Sequence, residues 1–215
     1  MKVLVNGKEI ESALGEEKTL GGLLQTVEET QVGEDEVIAR ILVDGEPLTA
    51  ERLSIWKDRL VGEFENAQVE TKTRNCFAAE ALRLIAERLR DGADLRDTIV
   101  EDLGRGRGGE AIQKLPEYIR IWDVVQQNLA GAARLMNMDI DTLEVFDQSD
   151  PTAPQSQPVI EQIDHLAEQL DQVKQALEAG DLVLLGDILD YEFSELADSW
   201  HDMLRQLADQ FEPRE

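Results

Sequence analysis

Three groups of residues in this 215-residue chain have types and spacings that could do chemistry. The first is Gly104-Arg-Gly-Arg-Gly-Gly109, where Gly104, Gly106 and Gly109 match G-x-G-x-x-G ahead of a helical pattern. Free amide hydrogens at a helix start, together with Arg105 and Arg107, can hold an anion such as a phosphate. A dinucleotide fingerprint must follow a strand, however, and the segment before this run, Leu95 to Leu103, is helical in pattern. No acidic residue can be placed on a second strand to meet a ribose. The run is therefore read as a solvated turn, with an anion contact at Arg105 and Arg107.

The second group holds the two histidines. Glu161 and His165 stand four apart, and Glu195, Asp198 and His201 follow on a later helix. Carboxylates and imidazoles bind metal in a bundle when they converge inward, commonly as paired Glu-x-x-His. Neither histidine lies in that motif, and both sit beside apolar stripe residues, Leu166 and Trp200, at the edge of a seam. They are read as flanking polar groups. Cys76 would need a histidine or a cationic setting to act as a nucleophile. Only Arg74 is near, so it is read as a buried, inert thiol at a helix start. No catalytic residue, metal or cofactor is assigned.

The third group is a docking surface. Tyr191, Glu192, Phe193, Glu195, Asp198 and Asp202 lie on the last helix, with further acids at Asp187 and Asp190. Consecutive helical positions turn by about 100°, so Tyr191 to Phe193 cannot all face one core. Aromatic surface displayed beside acid suits a basic, amphipathic partner helix.

These residues need elements to carry them. After Pro158, apolar residues at Ile163, Leu166, Leu170, Val173 and Leu177 alternate in gaps of three and four, which predicts one helical stripe. Gly180 then closes a helix and Asp181 opens another, whose stripe is Leu182, Leu185, Leu189, Leu196, Trp200, Leu204, Leu207 and Phe211. Two long antiparallel helices, 158–179 and 181–211, are expected, joined by a tight turn. Two more are expected over 75–90, capped by Asn75, and over 110–138, where Pro116 implies a late start or a kink. Short helical segments are expected over Leu95–Leu103 and Ile140–Phe146. Gln148–Pro158, with three prolines, reads as a loop. Each helix has one apolar stripe to bury, so a four-helix bundle-like domain over 75–215 is expected.

The first 74 residues differ in pattern. Lys2–Asn6 alternates, Asn6-Gly7 predicts a hairpin, and Glu9–Ala13 would return. Leu20, Leu23, Leu24 and Val27 form a helical stripe after Thr19. Val37–Val43 reads as a central strand, Asp44-Gly45 as a turn, Ala50–Trp56 as a short helix capped by Thr49, and Leu60–Thr73 as a last strand. Met1–Ile10 as a first hairpin, Leu20–Thr30 as a helix and Ile41-Leu-Val-Asp-Gly-Glu-Pro-Leu48 as a strand and turn together resemble the ubiquitin-like β-grasp fold. The resemblance implies a mixed sheet wrapped round one helix. The family's conjugating and sulfur-carrier members end in a free Gly-Gly tail. Here the chain runs on into helices at Asn75, so a docking or scaffold role is what the resemblance leaves.

The formal charge is −25, from 46 acidic and 21 basic residues. Such a surface repels nucleic acid and anionic membranes and attracts basic protein segments. One cysteine and the lack of a long apolar run fit a cytoplasmic protein. The sequence thus predicts an α+β chain, with a β-grasp-like domain over 1–74 and a helical domain over 75–215. Its expected function is that of a non-enzymatic adaptor or chaperone-like protein docking partners on an acidic helical hairpin. A structural homodimer through the exposed stripe is one rival. A metal- or nucleotide-dependent enzyme using Glu161, His165, Asp198 and His201, or the glycine run, is the other.

Overall fold

A computed structural model describes residues 1–10, 18–147 and 155–212. The expected returning strand over Glu9–Ala13 and the loop over Gln148–Pro158 lie partly outside those residues. Close contacts divide the α+β chain into two compact units, Met1–Phe77 and Ala78–Glu215.

In the first unit, β1 (Lys2–Val5) and β2 (Lys8–Glu9) form a hairpin about Asn6 (φ 50°) and Gly7 (φ 76°). Both central residues are left-handed, as a two-residue turn between twisted strands requires. Helix α1 (Leu20–Gln31) starts where the Gly22 N–H donates to Thr19 Oγ1 at 3.2 Å. Strand β3 (Glu36–Val43), a turn at Asp44-Gly45, β4 (Glu46–Pro47), α2 (Ala50–Trp56) and β5 (Asn66–Thr73) follow. The sheet order is β2-β1-β5-β3-β4, with β1 parallel to β5 and the other pairs antiparallel. The register aligns Val3 and Val43 with Ala67, and Val5 and Ile41 with Val69, so one face of the sheet is aliphatic. That face and Leu20, Leu23, Leu24 and Val27 of α1 share one core. The turns are tied to β5 by side chains. Asn6 Oδ1 accepts from the Thr71 N–H at 2.9 Å, and Asp44 Oδ1 accepts from the N–H groups of Glu65 and Asn66 at 2.8 Å each. The last strand is shorter than expected: Val61–Glu63 is a 3₁₀ turn, and Phe64 is buried ahead of β5.

Helix α3 (Arg74–Asp91) begins one residue earlier than expected. Its first turn is capped by Thr73, not Asn75: the Cys76 N–H donates to Thr73 Oγ1 at 3.2 Å. Then come α4 (Ala93–Gly104), α5 (Gly108–Leu135), β6 (Glu144–Asp147), β7 (Gln155–Pro158) and α6 (Val159–Ala179). Helix α5 continues through Pro116; the proline leaves the Ile112 carbonyl without an i+4 donor, at an exposed position. The described end of the expected loop is not a loop: β6 and β7 pair antiparallel. Gln206 holds this ribbon like a third strand, accepting from the Phe146 N–H and donating to the Phe146 carbonyl, both at 2.9 Å.

The turn after α6 is as the sequence predicts. Gly180 is left-handed (φ 67°), and Asp181 Oδ1 accepts from the Leu184 N–H at 3.0 Å. The expected single final helix is broken into α7 (Leu182–Asp187), a π-helical turn (Ile188–Glu192) and α8 (Phe193–Phe211). Leu185, Leu189 and Phe193 explain it. Spacings of four and four drift about 40° per step round an α-helix, and the wider turn takes up the drift. Ser199 donates to Gln162 Oε1 at 3.0 Å. The two residues are equally far along the chain from Gly180-Asp181, as antiparallel neighbours must be.

Candidate docking face

The core of the helical unit decides what α7 and α8 can show. Phe193 meets Trp122 edge-on, with ring centroids 5.6 Å apart, and Tyr118 at 5.9 Å; Trp122 meets Trp200 at 5.8 Å and 89°. These are favoured aromatic geometries. Burial pushes the Tyr118 phenol up to about 12. Phe193 is 0% exposed, which corrects the expectation that it is displayed. It continues the stripe of Leu185, Leu189, Leu196 and Trp200, and so turns inward. Tyr191, two residues away and about 200° round the helix, is 63% exposed.

The rest of the expected face lies outside. Glu192, Glu195, Asp198 and Asp202 are exposed, as are Asp187 and Asp190. Val183 and Leu184 add exposed aliphatic surface at the start of α7. No lysine or arginine occurs between Lys174 and Arg205. Within this stretch the exposed charges are thus all acidic, and three apolar side chains are exposed beside them.

The other candidates fare differently. Arg105 pairs with Glu101, and Arg107 pairs with Asp102 and lies 3.5 Å from Glu110. The cations expected to meet an anion are thus met by carboxylates of the chain itself. Asp102 is 2% exposed and also accepts from Lys114 Nζ at 2.6 Å. Hydrogen bonds from Lys114 and then from Arg107 hold its carboxyl below the ordinary carboxylate value. The sequence reading missed this clamp, because the i, i+12 pairing of Asp102 with Lys114 crosses from α4 to α5. The glycine run serves it: Gly106 is left-handed (φ 73°), and a Cβ on Gly108 would stand 2.3 Å from Leu182 Cδ1.

Glu161 and His165 are exposed, and His165 Nε2 lies 3.3 Å from Gln169 Nε2. His201 is buried, with Nδ1 3.2 Å from Asp202 and Nε2 3.7 Å from Glu87. Among the described residues, no group of three or more His, Cys, Asp or Glu side chains converges as metal ligands would. Cys76 is half-buried rather than buried.

Comparison with known proteins adds two regional likenesses. Among curated proteins and among solved structures, none matches the chain. Residues 1–73, the sheet unit up to the end of β5, match the family described as the TP0873 N-terminal domain. Residues 97–203, from within α4 to within α8, match DUF8042, a domain of unknown function.

Proposed function

We propose that this chain is a non-enzymatic interaction protein, adaptor or chaperone-like, whose α7–α8 face holds a basic, amphipathic segment of another protein. The observation that carries the reading is the row of six exposed carboxylates flanking exposed Tyr191, with Val183 and Leu184 at one end and no cation within the stretch. Carboxylates of one sign steer a basic segment to the surface and set its orientation. Tyrosine beside aliphatic side chains supplies the apolar contact that holds it. The sheet unit is read as β-grasp-like and as a second docking module. Its support is the strand order, with β1 and β5 parallel at the centre and one long helix on the aliphatic face. A cytoplasmic setting belongs to the same reading. The single cysteine fits it, and no helix is long and apolar enough among the described residues to cross a membrane.

The test is a titration of the full chain with a fluorescent helical peptide of lysine and leucine, beside its glutamate counterpart. The basic peptide should bind and the acidic one should not. Binding should weaken as salt rises, and Glu192→Lys with Glu195→Lys and Asp198→Lys should weaken it by about tenfold or more. Equal binding to the triple variant would remove the acidic face from the function.

A further inference from the structure

The two edges of the sheet differ. At one edge β2 has two residues, Lys8 and Glu9, both exposed, and Lys2 pairs with Glu9 at 3.0 Å. A short, charged strand is a blunt edge. At the other edge β4 covers only part of β3. Its two residues pair with Leu42 and Val43, and the Leu48 N–H donates to the Ile41 carbonyl at 2.9 Å. The chain then turns away, because Thr49 Oγ1 accepts from the Arg52 N–H at 3.3 Å and starts α2. Residues 36–40 of β3 lie along β5 on one side and, among the described residues, meet no strand on the other. Backbone N–H and C=O groups alternate in direction along a strand, so part of this stretch turns its donors and acceptors away from β5.

Where β4 stops, the edge has a notch of about 270 Å³ lined by Ile38, Ile41, Pro47 and Leu48, and Arg40 is its one charged lining residue among those described. Arg40 is exposed. Glu70 stands opposite it on β5, yet Arg40 pairs with no carboxylate among the described residues. These features name the occupant. Main-chain donors and acceptors in a row are matched by another extended backbone. An aliphatic notch takes an aliphatic side chain. A lone cation at its wall calls for a carboxylate. The register shifts between Ile38 and Arg40, where Ala39 has no partner on β5. Such a bulge bends and twists the strand. The edge of a second copy would carry the same bend and meet it poorly, whereas a flexible segment follows it. We propose that the open edge of β3 takes an extended segment of another protein as an added strand, with an aliphatic side chain in the notch and a carboxylate on Arg40. The proposal rests on the reading of the sheet unit as a docking module and not on the acidic α7–α8 face, which asks for a segment of opposite charge.

Fluorescence anisotropy and amide exchange of the full chain test this. The probe is a short labelled peptide that alternates valine and threonine and carries one leucine followed by two glutamates. One control has alternate backbone nitrogens methylated, and a second has lysines in place of the glutamates. The probe should bind. Methylation removes strand donors and should weaken it by about tenfold or more. Arg40→Glu should weaken the probe by about tenfold and favour the lysine peptide. Amides within residues 37–40 that exchange fast in the free protein should slow on binding, and those of Lys8 and Glu9 should not. Should Arg40→Glu not fold, the methylated peptide and the exchange map on the wild type still decide. A methylated peptide that binds as well as the probe overturns the proposal. So does protection at β2 instead of β3, or no binding up to the solubility of the probe. A free chain that sediments as a dimer with those β3 amides already protected overturns it too, and gives the edge to a second copy. Equal binding of the probe to Arg40→Glu removes the carboxylate from the assignment. The basic helical peptide on α7–α8 succeeds or fails separately.

Discussion

The two compact units bury their apolar residues in different ways. In the sheet unit, α1 lies on the aliphatic face of the sheet, with the end of α2 against its first turn. Its buried residues, Leu20, Leu23, Leu24 and Val27, form a single narrow stripe. The buried core around them is aliphatic apart from Phe64 and, among the described residues, contains no buried charge. In the helical unit, each long helix has neighbours on more than one side. Its core is built on Tyr118, Trp122, Phe193 and Trp200, and it takes in Asp102, Gln162, Gln169 and His201. Trp200 Nε1 and Gln169 Oε1 are buried there without a hydrogen-bond partner, and each such group costs stability. A helix on a sheet is positioned by its own periodicity. A helix among helices is positioned by which neighbour wins each arc of its surface.

The largest expected effect tests the aromatic core. Phe193→Ala removes the ring that touches both Tyr118 and Trp122. It should cost about 3–5 kcal/mol, read as a fall in the denaturant midpoint of the helical circular dichroism signal. Leu23→Ala, fully buried in the sheet unit, should cost about 2–5 kcal/mol and act on the unit that contributes least helix. Tryptophan fluorescence helps to separate the two, since Trp56 belongs to the sheet unit and Trp122 and Trp200 to the helical one. The contrast between the units fails if the two variants shift one common transition by like amounts.

That contrast also explains what could be read from the sequence. Asn6-Gly7, Asp44-Gly45, the α1 stripe and the Gly180-Asp181 turn rest on interactions within a few residues, and each was legible from residue types alone. The direction of Phe193 was not, because it depends on a π-helical turn forced by the spacing of Leu185, Leu189 and Phe193 against Trp122. The buried edge of α6 was legible at Leu166 and Val173 and not beyond them, because the core accepted Gln162 and Gln169 and left Leu177 outside. The β6–β7 ribbon was hidden by prolines that read as loop, and it is held by Gln206, some sixty residues away. The Asp102 clamp joins residues five and twelve apart across a helix break. Of the candidate site, the exposed carboxylates and Tyr191 were legible, and the inward turn of Phe193 was not.

Acid should separate the units by a smaller amount. The carboxyl of Asp102 is held below its ordinary value by Lys114 and Arg107. Its stabilisation is therefore present in full above the unfolded value, near 3.8, and is lost as pH falls through the lower folded value. Denaturant midpoints of the helical signal should drop below about pH 4 in the wild type, and Asp102→Asn should flatten that drop. Parallel curves for the two proteins would mean that the clamp contributes nothing to folding. Smaller still are the left-handed glycines. Gly180→Ala in the helical unit and Gly45→Ala in the sheet unit both have open space for a Cβ and a positive φ. Each should cost about 1 kcal/mol for backbone strain alone. A much larger cost at Gly180 than at Gly45 would show that the α6–α7 turn is coupled to the packing around it.

The smallest expected change in stability is at Tyr191, and its smallness is what makes it useful. Tyr191 and Phe193 are two residues apart on one helical run, yet one is exposed and the other fully buried. Removing the Tyr191 ring leaves no cavity, so Tyr191→Ala should change the denaturant midpoint by no more than about 0.5 kcal/mol. If the ring is a docking anchor, the same variant should weaken the basic peptide by about tenfold while the fold stays as it was. Charge reversal and ring removal should differ in their salt response. The carboxylates act through a field that salt screens, and the ring acts through apolar contact that salt leaves in place. At high salt, where the wild type keeps only its apolar contact, the loss caused by Tyr191→Ala should persist and the loss caused by Glu195→Lys should shrink. A Tyr191→Ala protein that binds like the wild type at every salt concentration would leave an acidic surface with no anchor, and the face would then be read as solubilising charge alone.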